Sequence, residues 1–382
     1  MADPILKTYA SQVVRHFELA GMHLSGRQNV SPGGAGTGAA APRPFAPGQL
    51  ERAPGNVPPW PGATDVDFHG TLAAIWIWAR HQVLSGERRF GRARELAWAF
   101  IDAAWFDFIP EALGPAASDE AAFDCAMVLR AATAELALAP GGNSLSAARA
   151  ASAARVLATY LSGLEDLSGR EFQDPGFLAW SLIEYGRAVG NRGVLAAGRG
   201  FVERAFGMKA PPSFRAEAES PGGLFDFSST TATRVLATLA SEGNTPFVGA
   251  WLRERVLPAV HPGFLSRNLD ENCWNACVAA FLGRAYAIST DPRFLEGYRI
   301  ICAELARRDF DVDGAIACDG RDETRGADTL GTFYYALATD ALLRQGSEGG
   351  GGGGGGGGRP AEGTAGRGEP LAMGLQQGHG RR

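Results

Sequence analysis

The run Asp270-Glu271-Asn272-Cys273-Trp274, continuing to Ile288, is followed by Ser289-Thr290-Asp291-Pro292 and then by Arg293 to Arg307. Trp274 to Ile288 is apolar on almost every side (Cys277, Val278, Phe281, Leu282, Ala285, Tyr286), the pattern of a helix buried all round. After the break, Phe294, Tyr298, Ile301 and Leu305 form one stripe, with Arg293, Glu296, Arg299 and Arg307 off it. That spacing predicts an amphipathic helix with a solvated back. A polar, glycine-containing loop from Asp309 to Ala327 leads to another apolar segment behind an acid, Asp328. The unit is an inner helix, a tight turn and an outer helix.

The unit recurs along the chain. His69–Leu84 with Phe90–Ala104, Ala121–Ala139 with Ser146–Leu161, Phe177–Val189 with Val194–Phe206, and Thr230–Ala240 with Phe247–Val260 repeat the alternation of fully apolar and striped segments. The last inner segment, Leu330–Leu343, lacks an outer partner, and the striped N-terminal segment Pro4–Ala20 lacks an inner one. Pairing these two closes the array and covers the apolar flank that an open one would leave wet. The expected fold is all-α, an (α/α)6 toroid of six helical hairpins over residues 1–346. A Gly/Pro-rich loop or lid at 25–61 interrupts it, and Gly349–Gly358 opens a disordered tail over 347–382.

Charge and cysteine usage narrow the function classes. Thirty-six Lys and Arg against 41 Asp and Glu give a net charge of -5, no field for nucleic acid or an anionic membrane. The five cysteines (Cys125, Cys273, Cys277, Cys302, Cys318) fall mostly inside helical patterns, which suits buried free thiols in a reducing compartment. Met1 to Ala20 carries no basic stretch followed by an apolar run, and Leu72–Ala79 is too short an apolar run to span a bilayer. A cytoplasmic protein with a small-molecule partner is the expectation; no oligomeric state is read.

Long connections back to the next inner helix are glycine-marked (Pro221-Gly222-Gly223, Pro262-Gly263, Asp313-Gly314) and share one face of a toroid with the inner-helix N-termini. Acids cluster there: Asp67, Asp124, Asp174, Asp226, Asp270, Glu271 and Asp328. Helix N-termini favour Asp as a cap, which accounts for most of them. The remainder would form a mouth where Asp67 and His69 act as an acid/base pair. Asp67 with Asp124, or Asp270 with Asp328, would supply the two carboxylates of glycoside chemistry. Trp76, Trp180, Trp274 and Tyr334 are the aromatic platforms such a mouth would present, with Asp174, Asp226 and Glu271 as polar contacts. Cys273 and Cys277 with Cys318 and Asp270 have the ligand types of a zinc site, but two thiols on an all-apolar helix read as packing. No metal or cofactor is expected, and no phosphate loop, nucleophile elbow or dinucleotide fingerprint occurs.

Two units, Trp78-Ala79-Arg80-His81-Gln82-Val83-Leu84-Ser85-Gly86-Glu87-Arg88-Arg89-Phe90 and Gly283-Arg284-Ala285-Tyr286-Ala287-Ile288-Ser289-Thr290-Asp291-Pro292-Arg293-Phe294-Leu295, resemble the hairpins of the six-hairpin glycosidase superfamily. Pro221-Gly222-Gly223-Leu224-Phe225-Asp226 is similar to the loops those proteins carry before an inner helix. The resemblance covers residues 66–345 and implies a carbohydrate-active enzyme, a hydrolase, lyase or epimerase, with acid/base chemistry in the mouth. Asp65-Val66-Asp67-Phe68 and Asp270-Glu271-Asn272-Cys273 also resemble acid and zinc motifs of the terpenoid cyclase and protein prenyltransferase toroids. There, however, Phe68 replaces an acid, and no histidine follows Asp328 before Tyr335. A non-catalytic toroid serving binding or assembly is the third alternative.

Overall fold

The computed structural model describes residues 4–25, 68–108, 119–138, 144–164, 175–206, 229–241, 245–262, 272–309, 312–317 and 329–343. All lie within the unit Met1–Gln345. The loop or lid at 25–61 (save Ser25) and the tail at 347–382 lie outside the described residues. Among the described residues there are twelve α-helices and no strand, so the chain is all-α. They are α1 (Pro4–Leu24), α2 (Phe68–Ser85), α3 (Gly91–Phe108), α4 (Asp119–Leu138), α5 (Ser144–Gly163) and α6 (Pro175–Ala188). Then come α7 (Arg192–Phe206), α8 (Ser229–Ser241), α9 (Thr245–Trp251), α10 (Asn272–Ser289), α11 (Pro292–Ala306) and α12 (Thr329–Asp340).

The turn between inner and outer helix is built the same way three times. Residues in the left-handed region follow α2, α6 and α10: Gly86 at φ 76°, Gly190 at φ 66° and Thr290 at φ 56°. Such a residue lets the chain reverse while the last carbonyls find amide donors, as Gly86 N–H does at Gln82 O (2.9 Å) and Thr290 N–H at Tyr286 O (2.7 Å). A side-chain cap then starts the outer helix: Asn191 Oδ1 accepts from Val194 N–H at 3.1 Å, and Asp291 Oδ1 from Arg293 N–H at 3.1 Å with Pro292 behind it.

The even-numbered helices are the inner ones. Thr71 to Ala79 of α2 are all buried, as are Ala122 to Ala132 of α4 and Asn275 to Gly283 of α10, whereas α3, α5, α7 and α11 each keep an exposed back. Each inner helix packs on the next, α2 on α4, α4 on α6, α6 on α8, α8 on α10, α10 on α12, and α12 packs back on α2. That cyclic succession is what a toroid requires. Arg80 of α2 and the buried Asp340 of α12 form an ion pair at 2.6 Å across the closing contact. The orphan α1 lies against both α2 and α12, with Trp78 Nε1–H donating to Gly21 O at 3.0 Å. The loop after α11 seals its other side: Asp309 accepts the N–H groups of Asp313 and Gly314, each at 2.9 Å. Gly314, at φ 79°, sits so close that a Cβ would lie 2.8 Å from Ala20 N.

Two expectations are corrected. The segment Phe247–Val260 is not one straight helix. α9 gives way to a π-helical turn at Leu252–Val256 and a 3-10 turn at Leu257–Ala259, consistent with Pro258, whose missing N–H cannot continue an α-helix. The cysteines are not all free: Cys125, Cys277 and Cys302 are free thiols, but Cys273 is disulfide-bonded. A sulfur held in a disulfide is no thiolate ligand, which removes the zinc reading of Cys273 with Cys277. No helix among the described residues is long and apolar enough to cross a membrane.

Candidate active site

Asp67, Asp174, Asp226, Asp270, Glu271 and Asp328 lie outside the described residues, and of His69 only the backbone, in the first turn of α2, is described. Asp124, Trp76, Trp180, Trp274 and Tyr334 are described, and their placements separate them. Asp124 is not a cap. Its helix starts at Asp119, so Asp124 stands in the second turn, with 5% of its surface exposed. A carboxylate held that deep must be met by polar groups or charge, because burying it bare is costly.

Asp124 is one of several buried polar residues near the starts of inner helices that the sequence pattern did not announce. Thr71, Asn275 and Thr332 are each the fourth residue of their inner helix (α2, α10, α12), Thr233 the fifth of α8 and Asp124 the sixth of α4. All are buried, at 0% exposure for Thr71, Asn275 and Thr332. α10, α12, α2 and α4 are consecutive neighbours, so Asn275, Thr332, Thr71 and Asp124 are buried polar residues in the first or second turn of adjoining helices. Single Thr and Asn residues inside apolar helices look like tolerated exceptions; their common distance from the helix start sets them apart. Comparing the fourth positions of the repeated units is the signal that could have found them.

The aromatic residues divide. Trp76 is shut between Phe17 (5.6 Å between rings) and Phe333 (5.2 Å), with 2% exposed, and is core. Trp180 is engaged by a cation: the Arg130 guanidinium stacks 3.7 Å from its ring centroid and 4.6 Å from that of Phe177. Arg130 also donates from Nε to Ser181 Oγ at 2.8 Å and pairs with Glu184 at 3.3 Å, so α4 and α6 are joined by a buried polar contact. Trp274 and Tyr334 remain together near the N-terminal ends of α10 and α12, edge to face at 5.7 Å. Tyr334 is 3% exposed, whereas Trp274 is only half-buried. Beside it, Asn272 donates from Nδ2 to Ala317 O at 2.8 Å.

At the other end of the inner helices lies a cleft of about 520 Å³ between α2, α3, α4 and α5. Four of its six charged lining residues are paired with one another. Arg94 pairs with Glu135 at 2.7 Å, and Arg149 chelates Asp102 through two nitrogens while stacking 4.2 Å from the centroid of Trp98. Burial pulls the Arg94 guanidinium below its usual pKa, with Glu135 opposing the shift. Among the described residues, no group of three or more His, Cys, Asp or Glu is placed to hold a metal ion.

No family model, no curated protein and no solved structure matches this chain.

Proposed function

We propose that this protein is a carbohydrate-active enzyme with its site at the N-terminal ends of the inner helices. The observation that carries the reading is the set of buried polar residues Asn275, Thr332, Thr71 and Asp124, in the first or second turn of four adjoining inner helices. Hydroxyls and an amide both donate and accept hydrogen bonds, the complement of a polyol, and Asp124 is a buried carboxylate with no capping duty. Trp274, half-buried and next to Asn275 on α10, offers the flat apolar face on which a sugar ring stacks. Asp67, His69, Asp270 and Asp328 precede or open helices of the same set and are the acid/base partners of the proposal. A hydrocarbon substrate is less well served, since Trp76, Phe333 and Phe17 pack on one another rather than around a cavity.

Thermal-shift screening against mono- and disaccharides and uronic acids tests the proposal, with prenyl diphosphates and Mg²⁺ as the counter-panel. A ligand at one hundred times its Kd adds about 2.7 kcal/mol to native stability. A saccharide should raise Tm, and Asp124→Asn, with its helical circular dichroism intact, should lose that rise. Rises with isoprenoids alone, or with no saccharide, would reject the carbohydrate reading.

A further inference from the structure

We propose that the cleft between α2, α3, α4 and α5 binds a small organic monocarboxylate, its anionic head between Arg88 and Arg94 and its apolar body against Leu138 and Leu145. A volume of about 520 Å³ is that of a small-molecule site. The charge left over in its walls has one sign. Arg94 faces Glu135, Arg149 chelates Asp102, and Glu95 is held by Arg92 at 3.0 Å. Arg88, in the turn between α2 and α3, remains. It is exposed, and its guanidinium enters no ion pair or hydrogen bond among the described residues. Arg94 is only partly spent: its Nη1 donates to Gln82 Oε1 at 2.7 Å and its Nε faces Glu135 at 2.7 Å, while its Nη2 makes no hydrogen bond among the described residues.

Two guanidiniums in one cleft repel each other. Burial lowers the Arg94 pKa, the carboxylates Glu135 and Glu95 oppose the shift, and the charge of Arg88 lowers it further. An anion seated between the two arginines replaces that repulsion with charge-assisted hydrogen bonds. One negative charge fits better than two, because Glu135, Glu95 and Asp102 line the same cleft and only one of its arginines is unpaired among the described residues. That favours a carboxylate over a phosphate dianion. The cleft also supplies an apolar surface. Leu145, the second residue of α5, keeps 55% of its surface exposed, and Leu138, the last residue of α4, is half-buried. An alkyl chain or ring laid on them removes that surface from water. This site is separate from the proposed saccharide mouth, since Gln82, Glu135 and Leu138 stand in the C-terminal turns of the inner helices α2 and α4.

Isothermal titration calorimetry of the full chain at low salt tests the proposal, with hexanoate and benzoate as probes and acetate, hexanol and inorganic phosphate as controls. Hexanoate and benzoate should bind one to one. Acetate lacks the apolar body and hexanol the charge, so each should bind roughly tenfold more weakly or less. Arg88→Gln, at an exposed position and with its helical circular dichroism unchanged, should weaken hexanoate roughly tenfold, the factor carried by a hydrogen bond to a charged group. Leu145→Ser should weaken it about threefold. Asp124→Asn should bind hexanoate as the wild type does, so failure of this proposal and failure of the carbohydrate reading are separate results. No binding of either carboxylate probe, phosphate binding as tightly as hexanoate, or wild-type affinity for hexanoate in Arg88→Gln would overturn the proposal.

Discussion

His16 shows how much a single residue owes to its surroundings. On α1 it packs edge to face on Tyr335 at 4.3 Å, with Phe17 at 6.1 Å, and its Nε2 is buried without a hydrogen-bond partner among the described residues. Burial holds the imidazole down at about 4 from an ordinary 6.5, and the charge of Asp313 pulls weakly the other way. The folded state therefore binds fewer protons than the unfolded chain between about pH 4 and 6.5. The stability from the neutral ring is complete above the unfolded value and is lost as pH falls through that window, to the extent of about 3 kcal/mol. Urea unfolding at pH 7.5, 5.5 and 4.5 should show the wild type losing this increment. His16→Gln, which cannot titrate, should lose only what the carboxylates lose. Equal pH slopes for the two proteins would contradict the assignment. Asp124 makes the same point: as one letter it reads as a helix cap, and only its place six residues into α4 shows that it is not.

Helices and turns were the most legible scale. The starts and stops of α2, α6, α7 and α10 to α12 lie within a few residues of the spans expected from apolar periodicity and Gly, Asn and Asp-Pro breaks. Period and punctuation are local properties, set within one or two turns of chain. α9 was misjudged because its stripe runs on through Pro258, while the backbone must change its winding before that residue. The inner-to-outer turn also exposes one imperfection. Where α2 and α6 end on glycine, α10 ends on Thr290, a β-branched residue in the left-handed region. Thr290→Gly should stabilise the protein by about 1 kcal/mol by removing that strain, less the entropy a glycine costs. Its Oγ1 contact with the neighbouring Ser289 O, at 2.7 Å, is exposed and contributes little. A denaturant midpoint that moved downward would show that the threonine is not strained.

At the scale of the whole molecule, the closing contact is the testable feature. Arg80 and Asp340 stand 260 positions apart and join the first inner helix to the last, with Asp340 1% exposed. Removing one member of a buried pair leaves the other charge without compensation, a cost of about 3 kcal/mol. Asp340→Asn should therefore lower the unfolding free energy by about that amount, measured by urea denaturation, with the transition still single. The double change Arg80→Met with Asp340→Leu should recover most of it, since apolar groups of similar volume replace both charges. A single variant as stable as the wild type would mean that α2 and α12 are held together by apolar packing alone.

The sequence by itself determined the all-α class, the alternation of fully apolar and striped helices, the turn chemistry and the vacancy that α1 fills, because each follows from residue spacing within one segment. Only the tertiary structure decided that Trp76 is core, that Trp180 is covered by Arg130, and that Trp274 keeps part of its surface exposed. It also decided that Thr71, Asp124, Asn275 and Thr332 are buried on neighbouring helices, and that Cys273 is not a free thiol. The physical reason is the same in each case. Burial, stacking and cross-linking depend on which residue of another helix stands opposite, and no periodicity within one helix carries that information.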